Sequence, residues 1–119
     1  MSLKNALKKV RDGYIINQVR KIKLPVFDES DAVRLGITFF GRVQKVGFRL
    51  EVKELSDRLE LTGFCQNLPG GSVYCELQGE KDKINYLIAF MESLVRIKIR
   101  NKEVKELDFI HGETEFKRF

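Results

Sequence analysis

From Leu35 onward, short β-branched and aromatic runs alternate with runs whose apolar residues recur every three or four positions. That order, β-α-β-β-α-β, constrains the fold more than any other property of the chain. Gly36-Ile37-Thr38-Phe39-Phe40 reads as a first strand. Phe48, Val52, Leu55 and Leu59 fall on one face of a helix, with Glu51, Lys53, Glu54 and Asp57 assigned to the solvent side. Gly63–Asn67 and Ser72–Leu77 are strands flanking Leu68-Pro69-Gly70-Gly71, where proline fixes φ and glycine accepts φ > 0, as a type II turn requires. Ile84, Leu87, Ile88 and Met91 mark a second helix starting near Gly79-Glu80-Lys81, Lys102–Ile110 reads as a fourth strand, and Glu113–Phe119 as a short fifth element. The arrangement that satisfies this order is an α+β, ferredoxin-like βαββαβ sandwich: an antiparallel sheet with two helices packed on one face.

Residues 1–34 read as an N-terminal extension and residues 35–119 as the single globular domain. In the extension, Leu3, Ala6, Leu7 and Val10 have helical spacing, which predicts a short amphipathic helix ending before Gly13. Tyr14–Lys23 mixes β-branched and charged residues and suits a strand or an ordered coil. Pro25 and Asp28-Glu29-Ser30-Asp31 read as a linker. The formal net charge of +5 is unevenly spread. Residues 1–34 carry eight Lys/Arg against four acids, whereas residues 35–119 carry fourteen against thirteen. The domain itself is nearly neutral.

Composition removes several function classes. The longest uncharged run, Leu61–Cys75, is broken by Gln66, Asn67, Pro69 and Gly70, so no membrane span is expected. Lys4, Lys8 and Lys9 lead into no signal-peptide apolar stretch, which predicts a cytoplasmic protein, and a monomer is expected. Two cysteines and one histidine cannot build a zinc framework of the usual spacing, so no metal and no cofactor are expected. Cys65 and Cys75, on neighbouring strands, are expected to be free thiols.

The segment that carries chemistry is Gly41-Arg42-Val43-Gln44-Lys45-Val46-Gly47-Phe48-Arg49, between the first strand and the first helix. A strand-to-helix loop gathers unpaired backbone N–H groups at the positive end of the helix dipole, and glycines let it curl around an anion. Arg49 adds a planar, bidentate fork. By composition alone, an ordinary connecting turn with solvated arginines fits equally well. The order of the residues adds more. Gly41-Arg42-Val43-Gln44 followed by Val46-Gly47-Phe48-Arg49 closely resembles the signature loop of the acylphosphatase family. Gly63-Phe64-Cys65-Gln66-Asn67 is similar to a second strand motif of that family, and Phe116-Lys117-Arg118-Phe119 resembles its C-terminal ending. Arg49 and Asn67 stand 18 residues apart, as the family's two catalytic residues do.

The resemblance implies metal-independent hydrolysis of acyl phosphates to a carboxylate and inorganic phosphate. Arg49 and Asn67 would be the catalytic pair. Gln44, Lys45, Val46, Gly47, Phe48 and Arg49 would bind the phosphoryl group, and Asn67 would position the attacking water. Three departures stand out: Lys45 in place of a glycine, Leu68 in place of a polar residue after Asn67, and no Gly-Pro pair after the second helix. The alternative reading keeps the fold and the anion loop as a binding or regulatory module with little turnover. A nucleic-acid partner ranks below both, because the aromatic strand motif of RNA-recognition domains is absent and the domain is close to neutral.

Overall fold

The computed structural model describes residues 2–119. Eight elements follow in order: α1 (Leu3–Lys21), β1 (Ala32–Arg42), α2 (Phe48–Arg58), β2 (Thr62–Asn67), β3 (Val73–Glu80), α3 (Lys81–Ser93), β4 (Lys98–Leu107) and β5 (Phe116–Arg118). The five strands form one sheet in the order β4-β1-β3-β2-β5. Among the described residues, no helix is long and apolar enough to cross a membrane.

Alternation along the strands divides the sheet into two faces. Ile37 and Phe39 on β1, Cys65 on β2, and Val73, Cys75 and Leu77 on β3 are buried in the core with Val52 and Leu55 of α2 and Ile84, Leu87 and Met91 of α3. The intervening residues, Thr38, Phe40, Phe64, Tyr74 and Glu76, are half-buried on the other face. The expected sandwich is therefore present. One strand pair differs from the expectation: β5 joins β2 in parallel, so the sheet is mixed rather than wholly antiparallel. The reason is topological. The segment after β4 must cross from one sheet edge to the other, and it arrives running in the direction of β2.

That crossing segment is tied to the open face by side chains. Gln78 of β3 accepts from the backbone N–H of Ile110 and donates to its carbonyl, both at 2.8 Å. Arg34 of β1, 2% exposed, donates to Glu76 at 2.8 Å and to Glu113 at 2.9 Å. The Tyr74 hydroxyl donates to the other Glu76 oxygen at 2.7 Å. Burial first, and then this bond to a carboxylate, push the Tyr74 phenol up to about 12.

The extension differs most from its sequence reading. The helix does not stop before Gly13 but runs through it to Lys21, and Tyr14–Lys21 is neither strand nor coil. Glycine costs a helix roughly 1 kcal/mol relative to alanine, and the burial of Ile15 and Val19 in the core offsets that. The face marked by sequence spacing is the wrong one: Leu3, Leu7 and Val10 are 76%, 60% and 72% exposed. Arg58, in the last turn of α2, donates to the carbonyls of Val19 and Ile22 and so satisfies the C-terminus of α1. β1 begins at Ala32, and its first residues pair with the end of β3.

Two further corrections concern the second half. β4 spans Lys98–Leu107 rather than Lys102–Ile110. It is an edge strand, exposed along most of its length and held by backbone pairing to β1, so side-chain alternation does not mark its limits. Glu51, assigned to the solvent face of α2, is fully buried, where it accepts from Arg96 at 3.0 Å. The proline–glycine turn is as expected: Gly70 has φ 91° and the Gly71 N–H bonds back to the Leu68 carbonyl at 3.3 Å. Cys65 and Cys75 face each other across β2 and β3 as buried free thiols.

Candidate active site

The loop between β1 and α2 is shaped at both ends by glycine. The β1–β4 register shifts between Phe40 and Gly41, so the strand bulges where it leaves the sheet. Gly41 has φ 130°, and a Cβ there would lie 2.1 Å from the Lys98 carbonyl oxygen, so no larger residue fits. At the other end Gly47, φ 77°, caps α2. Its absent side chain leaves room for α1: a Cβ would lie 2.4 Å from Ile15 Cδ1. Between them Lys45, φ 62°, is also left-handed. Two left-handed residues with one residue between them curl the backbone into a concave, nest-like turn.

Peptide planarity then sets where the amides point. The Lys45 carbonyl accepts from Arg11 Nη1 of α1 at 3.1 Å, and the Val46 carbonyl accepts from Arg96 Nε. In a trans peptide the N–H lies opposite the C=O, so the amides of Val46 and Gly47 point away from those arginines. The first helical bond of α2 runs from Glu51 N to Gly47 O at 3.0 Å, leaving the N–H groups of Phe48, Arg49 and Leu50 without helical acceptors. These amides and the helix dipole give the loop a positive concave side. Phe48 anchors the helix start in the core, its ring 5.1 Å from that of Phe39.

Arg96 holds the loop from behind and is itself held by Glu51. Burial raises the Glu51 carboxyl above its ordinary range, against the opposing pull of the Arg96 guanidinium. Its second oxygen, Oε2, has no partner among the described residues. A buried ion pair satisfied only in part adds little to stability.

Asn67 ends β2 and is exposed at the lip of the site. The turn that follows is clamped to the loop by Gln44, whose Nε2 donates to the Leu68 carbonyl at 2.9 Å and the Ser72 carbonyl at 2.8 Å. The Gln44 side chain is thus committed to the hairpin. Arg49 Nη1 donates to the main-chain oxygen of Phe119, which fixes the guanidinium beside β5.

A cavity of about 460 Å³ opens over this loop. It brings together Lys45, Gly47, Phe48, Arg49 and Asn67 of the residues singled out by sequence; Gln44 and Val46 do not line it. Sequence reasoning missed Arg118 on β5 as a lining residue, although the C-terminal Phe-x-Arg ending was a signal for it. It also missed Lys4, Lys8 and Arg11, contributed by the extension. The helical period of positions 4, 8 and 11 was available, but the sequence could not say that α1 folds back over the loop. His111 lies elsewhere, against the ring of Phe109 at 5.0 Å.

Lys45 gives a direct test of loop strain. A left-handed non-glycine residue costs about 1 kcal/mol, so Lys45→Gly is expected to stabilise the protein by roughly that amount, less the added chain entropy of glycine. Chemical denaturation measures it. A loss of more than 1 kcal/mol would mean that the lysine side chain contributes more than its backbone costs.

The fold and this site define a class: small α+β sandwiches whose first strand-to-helix loop forms a concavity lined by backbone amides. The acylphosphatase family model matches residues 35–119. The chain belongs to the acylphosphatase family and is an enzyme of that type. It is 32% identical over 85 residues to an acylphosphatase of Clostridium beijerinckii, covering 71% of this chain and 94% of that protein. It is likewise 32% identical over 75 residues to one of Methanospirillum hungatei, covering 61% and 82%. The crystal structure of acylphosphatase from Bacillus subtilis superposes with a TM-score of 0.67 at 25% identity, covering 73% of this chain and 98% of that one. The family match starts at Leu35, after α1.

Proposed function

We propose that the protein hydrolyses acyl phosphates without a metal ion, giving a carboxylate and inorganic phosphate, with Arg49 and Asn67 as the catalytic pair. The observation that carries this reading is the convergence of Arg49, Asn67 and the amide-rich loop on one cavity. The amides of residues 46–49 and the Arg49 fork bind the non-bridging phosphoryl oxygens. The Asn67 side-chain amide orients a water molecule for in-line attack. The oxygen of that water forms a bond to phosphorus as the P–O bond to the acyl group breaks. The carboxylate departs with the electron pair, and the proton lost from the water passes to solvent.

Physical chemistry favours this division of labour. Phosphoryl transfer passes through a loose transition state that rewards positioning and charge stabilisation more than a strong base. A carboxylate is a weak base and leaves without a proton donor. The charge that develops lies on oxygens already facing fixed N–H donors, which need not reorganise during the reaction.

The purified protein is expected to hydrolyse benzoyl phosphate in the presence of excess EDTA. Asn67→Ala is expected to lower kcat by roughly 10²-fold or more with a smaller change in KM, since the role assigned to Asn67 is toward water. Steady-state kinetics with phosphate release as readout checks this. Turnover by Asn67→Ala equal to the wild type would remove Asn67 from the mechanism. Turnover that requires added divalent cation would overturn the metal-independent reading.

A further inference from the structure

The cavity over the loop holds more positive charge than one phosphoryl group needs. Lys4, Lys8, Arg11, Lys45, Arg49 and Arg118 line it, and among the described residues no Asp or Glu does. The loop amides and Arg49 suffice for a dianion. Arg11 is occupied, bonded to the Lys45 carbonyl and to Asp12 at 3.0 Å. Lys4, Lys8 and Lys45, by contrast, enter no ion pair among the described residues. Lys4, Lys8 and Arg11 are spaced at i, i+4 and i+7, so they fall on one side of α1. The placement is held firmly: Ile15 packs against the space at Gly47, Arg11 grips the loop, and Arg58 grips the end of α1.

Space points the same way. Cavities of about 300–1,000 Å³ hold whole small molecules rather than one phosphate, and this one measures about 460 Å³. Uncompensated like charges around a concave surface repel one another and focus a positive potential into it. A ligand that neutralises only the loop leaves the α1 lysines unanswered.

We infer that α1 builds a second anion subsite, made by Lys4 and Lys8 together with Lys45 of the loop. It selects acyl phosphates whose acyl group ends in a further anionic group. This inference rests on the acyl-phosphate reading of the loop and deepens it. The subsite belongs to this chain's own extension, because the family match begins at residue 35.

The test compares Lys4→Gln/Lys8→Gln with the wild type. Both lysines are exposed, so the fold is not at stake. A second double variant, Lys102→Gln/Lys105→Gln on the distant edge strand, removes the same net charge elsewhere. The readout is the ratio of kcat/KM for succinyl phosphate, which carries a carboxylate, to that for benzoyl phosphate, which does not. The ratio is expected to fall roughly five- to tenfold in the α1 variant and to change less than twofold in the edge variant. Equal falls in both variants, or no fall in either, would overturn the subsite.

Calorimetry gives an arm that needs no turnover. Binding of 3-phosphonopropionate and of 1,3-propanediyl bisphosphonate is compared with that of propylphosphonate. Tighter wild-type binding of either two-anion ligand, lost in the α1 variant, supports the subsite; the stronger of the two identifies a carboxylate or a phosphate as the preferred second group. Equal affinity for all three overturns it. Absence of benzoyl phosphate hydrolysis with the phosphonate preference intact would instead overturn the proposed reaction while leaving the subsite standing.

Discussion

Arg49→Ala is expected to lower kcat/KM for benzoyl phosphate by roughly 10³-fold, a loss of about 4 kcal/mol of transition-state stabilisation. The size follows from what the guanidinium does in the proposed reaction. It offers a rigid pair of donors to oxygens whose charge redistributes as the P–O bond lengthens. The loop amides remain in the variant, so the loss stops short of abolishing all catalysis. Arg49→Lys is expected to recover little, because an ammonium supplies charge without the bidentate geometry. Stability is a separate matter. The side chain is half-buried and its one internal bond is to the main-chain oxygen of Phe119, so the thermal midpoint is expected to fall by only a few degrees. Stopped assays of phosphate release, paired with thermal unfolding of each variant, separate the two effects. A variant within tenfold of the wild type would show that the amides alone carry the chemistry and would remove Arg49 from its assigned role.

The parts of this molecule that were legible in its sequence are those whose side chains alternate between core and solvent. Ile37 and Phe39, Val52 and Leu55, and Ile84, Leu87 and Met91 all sit where their spacing puts them. The Pro69-Gly70 turn was legible because only certain residues accept its backbone angles. The loop was legible through the order of its residues. What sequence could not show depends on contacts distant along the chain. Ile15 and Val19 become core residues only when α2 is beside them, and this contact carries the helix through Gly13. Glu51 looks like a surface residue until Arg96, 45 positions away, meets it. β4 is held by backbone bonds at a sheet edge, where side-chain pattern carries little information. The α1 lysines were visible as positive charge, but their meeting with Lys45 and Arg49 over one cavity is a property of the folded chain.

Arg34→Met is expected to cost about 3–5 kcal/mol of stability, lowering the thermal midpoint by roughly 10–20 °C, with kcat for benzoyl phosphate little changed below the new midpoint. Arg34 is buried on the open face of the sheet, between Glu76 and Glu113, and also bonds Gln78 at 3.1 Å. Methionine fills much of the same volume, so the cost is electrostatic rather than a cavity. Without the guanidinium, two carboxylates share a desolvated pocket with no cation. The Tyr74 hydroxyl is left to stabilise Glu76 alone. The segment crossing the sheet toward β5 loses its tie to β1, although the paired Gln78–Ile110 bonds remain. The pH dependence identifies the cause. In the variant the two carboxylates repel one another across a site that has lost its cation, a cost that acid removes. The stability difference from the wild type therefore shrinks as pH falls from 7 to 4 and widens again on return. Adding Glu76→Gln and Glu113→Gln to Arg34→Met removes both charges and is expected to restore a large part of the loss at neutral pH. A penalty that stays constant across this pH range, and persists in the triple variant, would assign the role of Arg34 to packing and leave the buried charges without energetic consequence.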